Sequence, residues 1–262
     1  MRAIFIADIF GKPGKRAVYE GLPILVEDYG PDIVIANGEN IAGGFGITKN
    51  LAHKLFRYGV DVITTGNHIW DRREVVDFID DEEWLLRPLN FPPGTPGKGS
   101  CVFETEAGQK VGIINSQGRV YMRDIDDPFR TVLAEVEKLL PVTSTIIVDF
   151  HAEATSEKVA MARYLDGKVS AVLGTHTHIQ TADERILESG TAAITDAGMT
   201  GPHDSVIGVK QELAIRFLLT ARNVRFSPAS EDVRLQGVIL DVNDKTGKAD
   251  SIERLNMNVE VD

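Results

Sequence analysis

Cysteine is almost absent: Cys101 is the one thiol in 262 residues. An intramolecular disulfide is therefore excluded, and so is a thiolate cluster around a metal. Long apolar runs are missing too. No stretch approaches the roughly 18 consecutive apolar residues of a membrane span. The apolar N-terminus MRAIFIADIF is interrupted by Asp8 and is too short for a secretion signal with its cleavage site. A cytoplasmic protein without a membrane partner is the expectation. Basic residues are the minority, with 28 Lys and Arg against 39 Asp and Glu and a formal net charge of −11. That balance argues against a broad interface with a phosphate backbone, so no stable nucleic-acid complex is expected. It leaves room for a small phosphate ester held by cations, which dominate their local field.

What is present reads as an ordinary globular chain, 43% hydrophobic and 26% charged. Its length suits one large core, and a single domain over 1–262 is expected. No repeat or low-complexity linker divides it; the Pro/Gly-rich stretch 89–100 reads as a surface loop. Short β-branched runs at 2–7, 32–36, 61–65, 145–150 and 169–173 have the length of buried strands. Between them, segments near 14–29, 48–58, 71–80, 128–140 and 155–166 carry helical periodicity. Such alternation implies βαβ crossovers and mostly parallel pairing, an α/β fold. Two further strand pairs, at 100–115 and around the turn Asp244-Lys245-Thr246-Gly247, read as hairpins. Two packed sheets flanked by helices follow from this pattern.

The informative feature is positional. Each of the five apolar runs ends in a residue able to bind metal: Asp8, Glu39 with Asn40, Asn67 with His68, His151, and His176 with His178. In an open α/β sheet the loops at the carboxyl ends of the strands form the ligand crevice. These residues should therefore meet, although they run from position 8 to position 178. Carboxylate, amide and imidazole donors together suit manganese, iron or zinc better than calcium or a thiolate-bound ion. Seven candidate ligands are too many for one tetrahedral ion and suit two ions sharing a carboxylate.

Taken singly, most of these residues have ordinary explanations. A lone Asp at a strand end is usually a turn or helix cap. His151 alone after a buried strand is more often a satisfied structural histidine. His176 and His178 are more telling, since residues two apart on extended backbone point the same way. Four of the six histidines fall in the pattern. His53 reads as a surface residue and His203 as a solvated loop histidine. Lys12 and the loop 198–202 are possible neighbours of the site with equally good surface readings.

In order, Asp8, Gly38-Glu39, Gly66-Asn67-His68, His151 and Gly174-Thr175-His176-Thr177-His178 resemble the motif blocks of the calcineurin-like metallophosphoesterases: D-x-H, GD, GNH, H and GHxH. Two departures stand out. Phe10 occupies the place of the D-x-H histidine, and Glu39 followed by Asn40 replaces the Asp of GD. With DIFGKPG at 8–14, NGEN at 37–40, TGNHIWD at 65–71, NSQGR at 115–119 and TDAGMTGP at 195–202, the chain looks like the bacterial YmdB-like family. The resemblance implies a four-layer α/β/β/α sandwich and hydrolysis of 2′,3′-cyclic nucleotides. It implies two divalent or trivalent metal ions, iron or manganese before zinc or magnesium. Asp8, Glu39, Asn40 and His178 would hold one ion, and Glu39, Asn67, His151 and His176 the other, with Glu39 bridging.

The expected chemistry is attack on phosphorus in line by the hydroxide of a water bridging the two cations. His68, outside the ligand set, would donate a proton to the departing ribose oxygen. Asp71 could orient His68 but reads more simply as the N-cap of the following helix. Two alternatives remain at this stage. One is another phosphoesterase: a 5′-nucleotidase, a phosphomonoesterase or a nuclease, the last disfavoured by the negative charge. The other is a regulatory protein that keeps the metal site for stability. Homo-oligomerisation stays open.

Overall fold

The structure is a computed structural model that describes residues 1–260; the last two residues of the expected 1–262 domain lie outside the described residues. The first part of the chain forms β1 (Arg2–Ile6), β2 (Asp8–Ile9), α1 (Gly11–Tyr29), β3 (Ile33–Asn37), α2 (Lys49–Arg57) and β4 (Val62–Thr64). The middle forms β5 (Ser100–Glu104), β6 (Lys110–Gln117), α3 (Pro128–Leu139), β7 (Thr145–His151), α4 (Thr155–Tyr164) and β8 (Ala171–Thr175). The remainder forms β9 (Arg185–Ile186), β10 (Ala192–Ile194), β11 (Met199–Pro202), α5 (Gln211–Thr220), β12 (Val233–Val242) and β13 (Ala249–Asn258).

Two sheets result. The first runs β2-β11-β12-β1-β3-β4, with β13 also paired to β12. The second runs β5-β6-β7-β8-β10-β9. β1, β3 and β4 are parallel neighbours, as are β6, β7, β8 and β10. The two expected hairpins, β5–β6 and β12–β13, are antiparallel, as are β1–β12, β11–β12 and β9–β10.

Side-chain alternation along the strands builds three apolar layers. On β1, Ala3 and Phe5 face the second sheet and meet Val111, Ile113, Ile147 and Leu173 in a shared core. Ile4 and Ile6 face the other way, onto Val18, Leu22 and Leu25 of α1 and Leu55 of α2. The outer face of the second sheet does the same, with Ile146, Val148 and Phe150 packed on Val132 and Val136 of α3 and Met161 of α4. The molecule is thus a four-layer α/β/β/α sandwich.

Helix boundaries follow local chemistry. Asp127 caps α3 by accepting from the N–H groups of Phe129 and Arg130, and Pro128 sits in the first turn, where its missing N–H costs nothing. The helix expected at 71–80 is instead two short 3-10 turns, Arg73–Asp77 and Ile79–Asp81. Val75, Phe78 and Ile79 are buried there. Three-residue spacing of the first two suits the tighter turn, and a segment this short gains little from extending as an α-helix. Within the stretch 198–202, expected as a loop, Met199–Pro202 form the buried strand β11, paired with both β2 and β12. No helix among the described residues is long and apolar enough to cross a membrane.

Cys101 lies on β5 with its side chain against the shared core. Burial pushes its thiol up to about 12. At pH 8 the native protein should therefore react with a disulfide reagent far more slowly than the same protein in denaturant. A thiol-release assay with and without guanidinium reads the difference; equal rates would contradict the burial.

Candidate metal and active site

Parallel strands of both sheets deliver their carboxyl ends to one place. Asp8 follows β1, Glu39 and Asn40 follow β3, and Asn67 and His68 follow β4; His151 ends β7, and His176 and His178 follow β8. The first sheet and the second thus each contribute one side of the site. All seven residues expected as ligands converge here, with His68 beside them.

Two overlapping groups are visible. In one, His151 Nε2 lies 3.1 Å from Glu39 Oε1 and 3.0 Å from Asn67 Oδ1. His176 Nδ1 lies 3.0 Å from the same His151 nitrogen. Glu39, His151 and His176 form a cluster compact enough to hold one ion. In the other, His178 Nε2 lies 3.7 Å from Asp8 Oδ1 and 3.2 Å from Asn40 Nδ2. Asn40 Nδ2 also donates to Glu39 Oε1 at 3.0 Å, so Glu39 touches both groups.

Buried polar atoms are normally hydrogen-bonded. Asp8 Oδ1 and Asn40 Oδ1 are buried without a partner. Ring nitrogens and carboxylate oxygens that face one another in so small a space are electron-pair donors suited to a cation. The residues therefore fit a metal centre, in donor chemistry as well as in placement.

Electrostatics point the same way. Burial alone would lower the His151 imidazole, but Glu39 and Asp8 outweigh it and hold the ring up to about 9. His176 is driven down to about 3 by burial and by the neighbouring His151. Burial would raise Glu39, yet His151 pulls it below the usual carboxylate range. These opposed shifts belong to a set of buried groups close enough to govern one another's charge.

Behind the candidate ligands stands a layer that the sequence did not disclose. Thr175 Oγ1 donates to Asp149 Oδ1 at 2.7 Å and lies 2.9 Å from His151 Nδ1. With its own proton committed to Asp149, the hydroxyl accepts from His151 Nδ1, which turns the Nε2 lone pair toward the centre. Asp149 is fully buried, and that burial raises it to about 6, despite further donors from Asn37 and Thr64. Glu153 Oε2 stands 3.1 Å from His176 Nε2, a carboxylate at the far side of a candidate ligand. Its signal was available in principle, because it comes two residues after His151 at the same strand end.

His176 and His178 both take positive φ, at 101° and 65°, where side-chain-bearing residues are strained. Thr177 between them is anchored by Asp196, whose Oδ2 accepts from the Thr177 N–H at 3.0 Å and its hydroxyl at 2.7 Å. Lys158 Nζ pairs with the same oxygen at 2.7 Å, and both side chains are buried. Asp196→Ala should cost about 3–5 kcal/mol, the usual penalty for leaving a buried charge unpaired. It should also weaken metal retention. Urea denaturation and metal analysis of the variant read the two effects; wild-type values for both would refute the anchoring role.

Only glycine fits at position 66. A Cβ there would collide with the His151 ring and with the Glu39 carboxylate. Phe10, in the place of a histidine ligand, packs its ring edgewise on His178 at 5.6 Å. It contributes shape rather than a donor.

His68 stays outside the ligand cluster. Its N–H donates to Glu39 Oε2 at 3.0 Å, and its Nδ1 lies 2.8 Å from Asp71 Oδ2. Asp71 is thus the partner of His68, not a helix cap: the turn that follows begins after Arg72 and has no side-chain cap. Of the other residues considered, His53 forms a surface pair with Glu82 at 2.7 Å, as expected of a surface residue. His203 is half-buried, with Nε2 3.1 Å from the Met199 carbonyl, rather than solvated. Neither it, Lys12 nor β11 lines the cavity over the site, which measures about 310 Å³.

This sandwich, with candidate metal ligands at the strand ends of both sheets, is the architecture of a metallophosphoesterase. The chain belongs to the YmdB-like family, whose model, described as "YmdB-like protein", matches residues 4–255. It is 49% identical to the 2′,3′-cyclic-nucleotide 2′-phosphodiesterase of Bacillus subtilis (strain 168), covering 98% of this chain and 97% of that protein. A hypothetical protein from Thermus thermophilus superposes with a TM-score of 0.91 at 41% identity, covering 98% of this chain and 99% of the other. A structure described as a novel phosphatase from Mycoplasma pneumoniae also gives 0.91, at 35% identity, covering 98% of this chain and 94% of the other.

Proposed function

We propose that this protein is a metal-dependent phosphodiesterase that hydrolyses 2′,3′-cyclic nucleotides, opening the ester at the 2′ oxygen. The observation that carries it is the packing of His151 Nε2, Glu39 Oε1, Asn67 Oδ1 and His176 Nδ1 around one point, beside a histidine that is not part of the cluster. The similarity to the Bacillus subtilis phosphodiesterase supports the choice of substrate.

Asp8, Glu39, Asn40 and His178 would hold one ion, and Glu39, Asn67, His151 and His176 a second. Asn40 would serve through its amide oxygen, which needs a half-turn of the amide from the arrangement in which Nδ2 faces Glu39 and His178. Bound cations supply charge stabilisation at the phosphoryl oxygens and a nucleophile at neutral pH. The protein's own groups do the rest. Thr175 and Glu153 hold the rings of His151 and His176 in place. His68, oriented by Asp71, gives a proton to the departing 2′ oxygen, so that water is added across the P–O bond. Iron or manganese, one domain for the whole activity, and a cytoplasmic location are part of the same proposal.

The test pairs metal analysis of the purified protein with turnover of 2′,3′-cyclic AMP, 3′,5′-cyclic AMP and 4-nitrophenyl phosphate. Two equivalents of metal and a clear preference for the 2′,3′-cyclic nucleotide are expected. Preference for the monoester would replace the proposal with a phosphomonoesterase; metal without turnover of any of the three would remove the enzymatic function.

A further inference from the structure

The cavity lining is of two kinds. Glu39, Asn40, His68, His176 and His178 are among its polar members. Phe10, Phe45, Ile207, Val209 and Phe226 are apolar. The metal chemistry has no use for this apolar part. Ile207 is 48% exposed, and Phe45 and Phe226 are half-buried, Phe226 resting on the small cluster of Phe10, Met199, Val209 and Ala214 with part of its ring left to the cavity.

The wall is nonetheless held in place. Phe45 sits in the loop Gly43-Gly44-Phe45-Gly46, whose three glycines all take positive φ. At Gly44 a Cβ would meet the Phe10 ring at 2.9 Å. Arg72 clamps the loop, donating to the Phe45 carbonyl at 3.0 Å and to that of Ala42. The Phe45 ring stands edge-on to His68 with centroids 5.0 Å apart. Ile207 is tied to the metal side, because its carbonyl accepts from His178 Nδ1 at 3.0 Å. Phe226 rests edge-on against Phe217 at 5.6 Å, and Val209 bridges to Pro228. Aromatic and aliphatic surface pre-arranged beside a phosphate-binding centre fits a flat heterocycle attached to the phosphate's sugar.

Among the described residues, the cavity lining holds no further polar side chain free to read a base. Its polar side chains are the candidate ligands, His68, Glu153 facing His176, and Thr177 bound to Asp196. A wall with no amide, guanidinium or free hydroxyl grips a base by its face, and every base has one. Resting on the phosphodiesterase function proposed above, we propose that Phe45, Ile207 and Phe226 form a nucleobase subsite. It selects nucleotides over plain sugar phosphates while discriminating little between bases.

The experiment compares the 2′,3′-cyclic phosphates of adenosine, guanosine, cytidine and uridine with that of methyl riboside, which has a methoxy group where the base would be. In the metal-loaded wild type, kcat/KM for the nucleotides should exceed that for methyl riboside by about tenfold or more, a loss typical of one missing stacked base. The four nucleotides should lie within about tenfold of one another, purines ahead through their larger stacking area. Phe226→Ala, which leaves His68 untouched, should lower nucleotide kcat/KM about tenfold more than it lowers that of methyl riboside, and mostly through KM. Phe45→Ala should show the same differential on top of a common loss through His68. Adenosine alone should inhibit the wild type competitively and the Phe226→Ala variant about tenfold more weakly.

Equal wild-type efficiency on nucleotide and methyl riboside would overturn the subsite while leaving the phosphodiesterase intact. So would an equal effect of Phe226→Ala on both substrates, or a preference of several hundredfold for one base. If no cyclic phosphate is turned over by metal-loaded wild type, the underlying function fails and the subsite fails with it.

Discussion

Replacing Glu39 with glutamine should strip the centre of metal while leaving the chain folded. Glu39 is fully buried and touches both groups of candidate ligands. Glutamine keeps the shape and can still accept from the His68 N–H, but it removes the negative charge that two cations would share. Loss of an outer partner of a metal ligand typically costs about 10–100-fold in affinity. Loss of the shared carboxylate should exceed that, and turnover should fall to background at metal concentrations that saturate the wild type. Metal content after gel filtration and kcat at rising metal concentration are the measurements. A Glu39→Gln protein that keeps two equivalents of metal would show that Glu39 is not the bridge.

His68→Ala should do the reverse: metal stays and chemistry is lost. General acid catalysis is worth about 10²–10⁴-fold, and kcat on a 2′,3′-cyclic nucleotide should fall within that range. The leaving group separates this role from a structural one. A 4-nitrophenyl phosphodiester releases 4-nitrophenolate, a stable anion that needs no proton, so the loss should shrink sharply on that substrate. Asp71 acts through His68, and Asp71→Asn should show a smaller loss with the same dependence on leaving group. If both substrates lose equally in either variant, the His68 ring is supporting the loop through its contacts with Asp71 and Phe45 rather than donating a proton.

Much of the site was legible because strand ends mark it. Asp8, Glu39, Asn67, His151 and the His176–His178 pair each follow an apolar run, and parallel topology sends such ends to one edge. What remained hidden depends on contacts between distant segments. Nothing near Phe45 in sequence shows that Ile207 and Phe226 will share a cavity with it. Asp71 looked like a cap because its neighbours read as a helix; tight turns place it beneath His68 instead. β11 escaped notice because Gly201 and Pro202 read as a loop, whereas their pairing with β12, continuing from Met199 and Thr200 on β2, overrides that preference. α5 carries little buried apolar surface, Ala214 being its one buried residue, and so gave no strong signal.

The place of β12 in the first sheet has a consequence for synthesis. β12 lies between β1 and β11, pairing Arg2 with Asp241 and Ile6 with Gly237. While the chain emerges from the ribosome, β1 can acquire β3 and β4 early, yet its other edge stays open until residues beyond 230 have been made. Asp8 and the Met199–Thr200 stretch that pairs with it sit across that gap. A nascent chain already carrying every candidate metal ligand, through His178, is thus still without the strand that closes the sheet on which Asp8 rests. The pairing that seats Asp8 depends on a strand that begins only at Val233, well beyond the last candidate ligand, so the candidate centre is set up late in the chain.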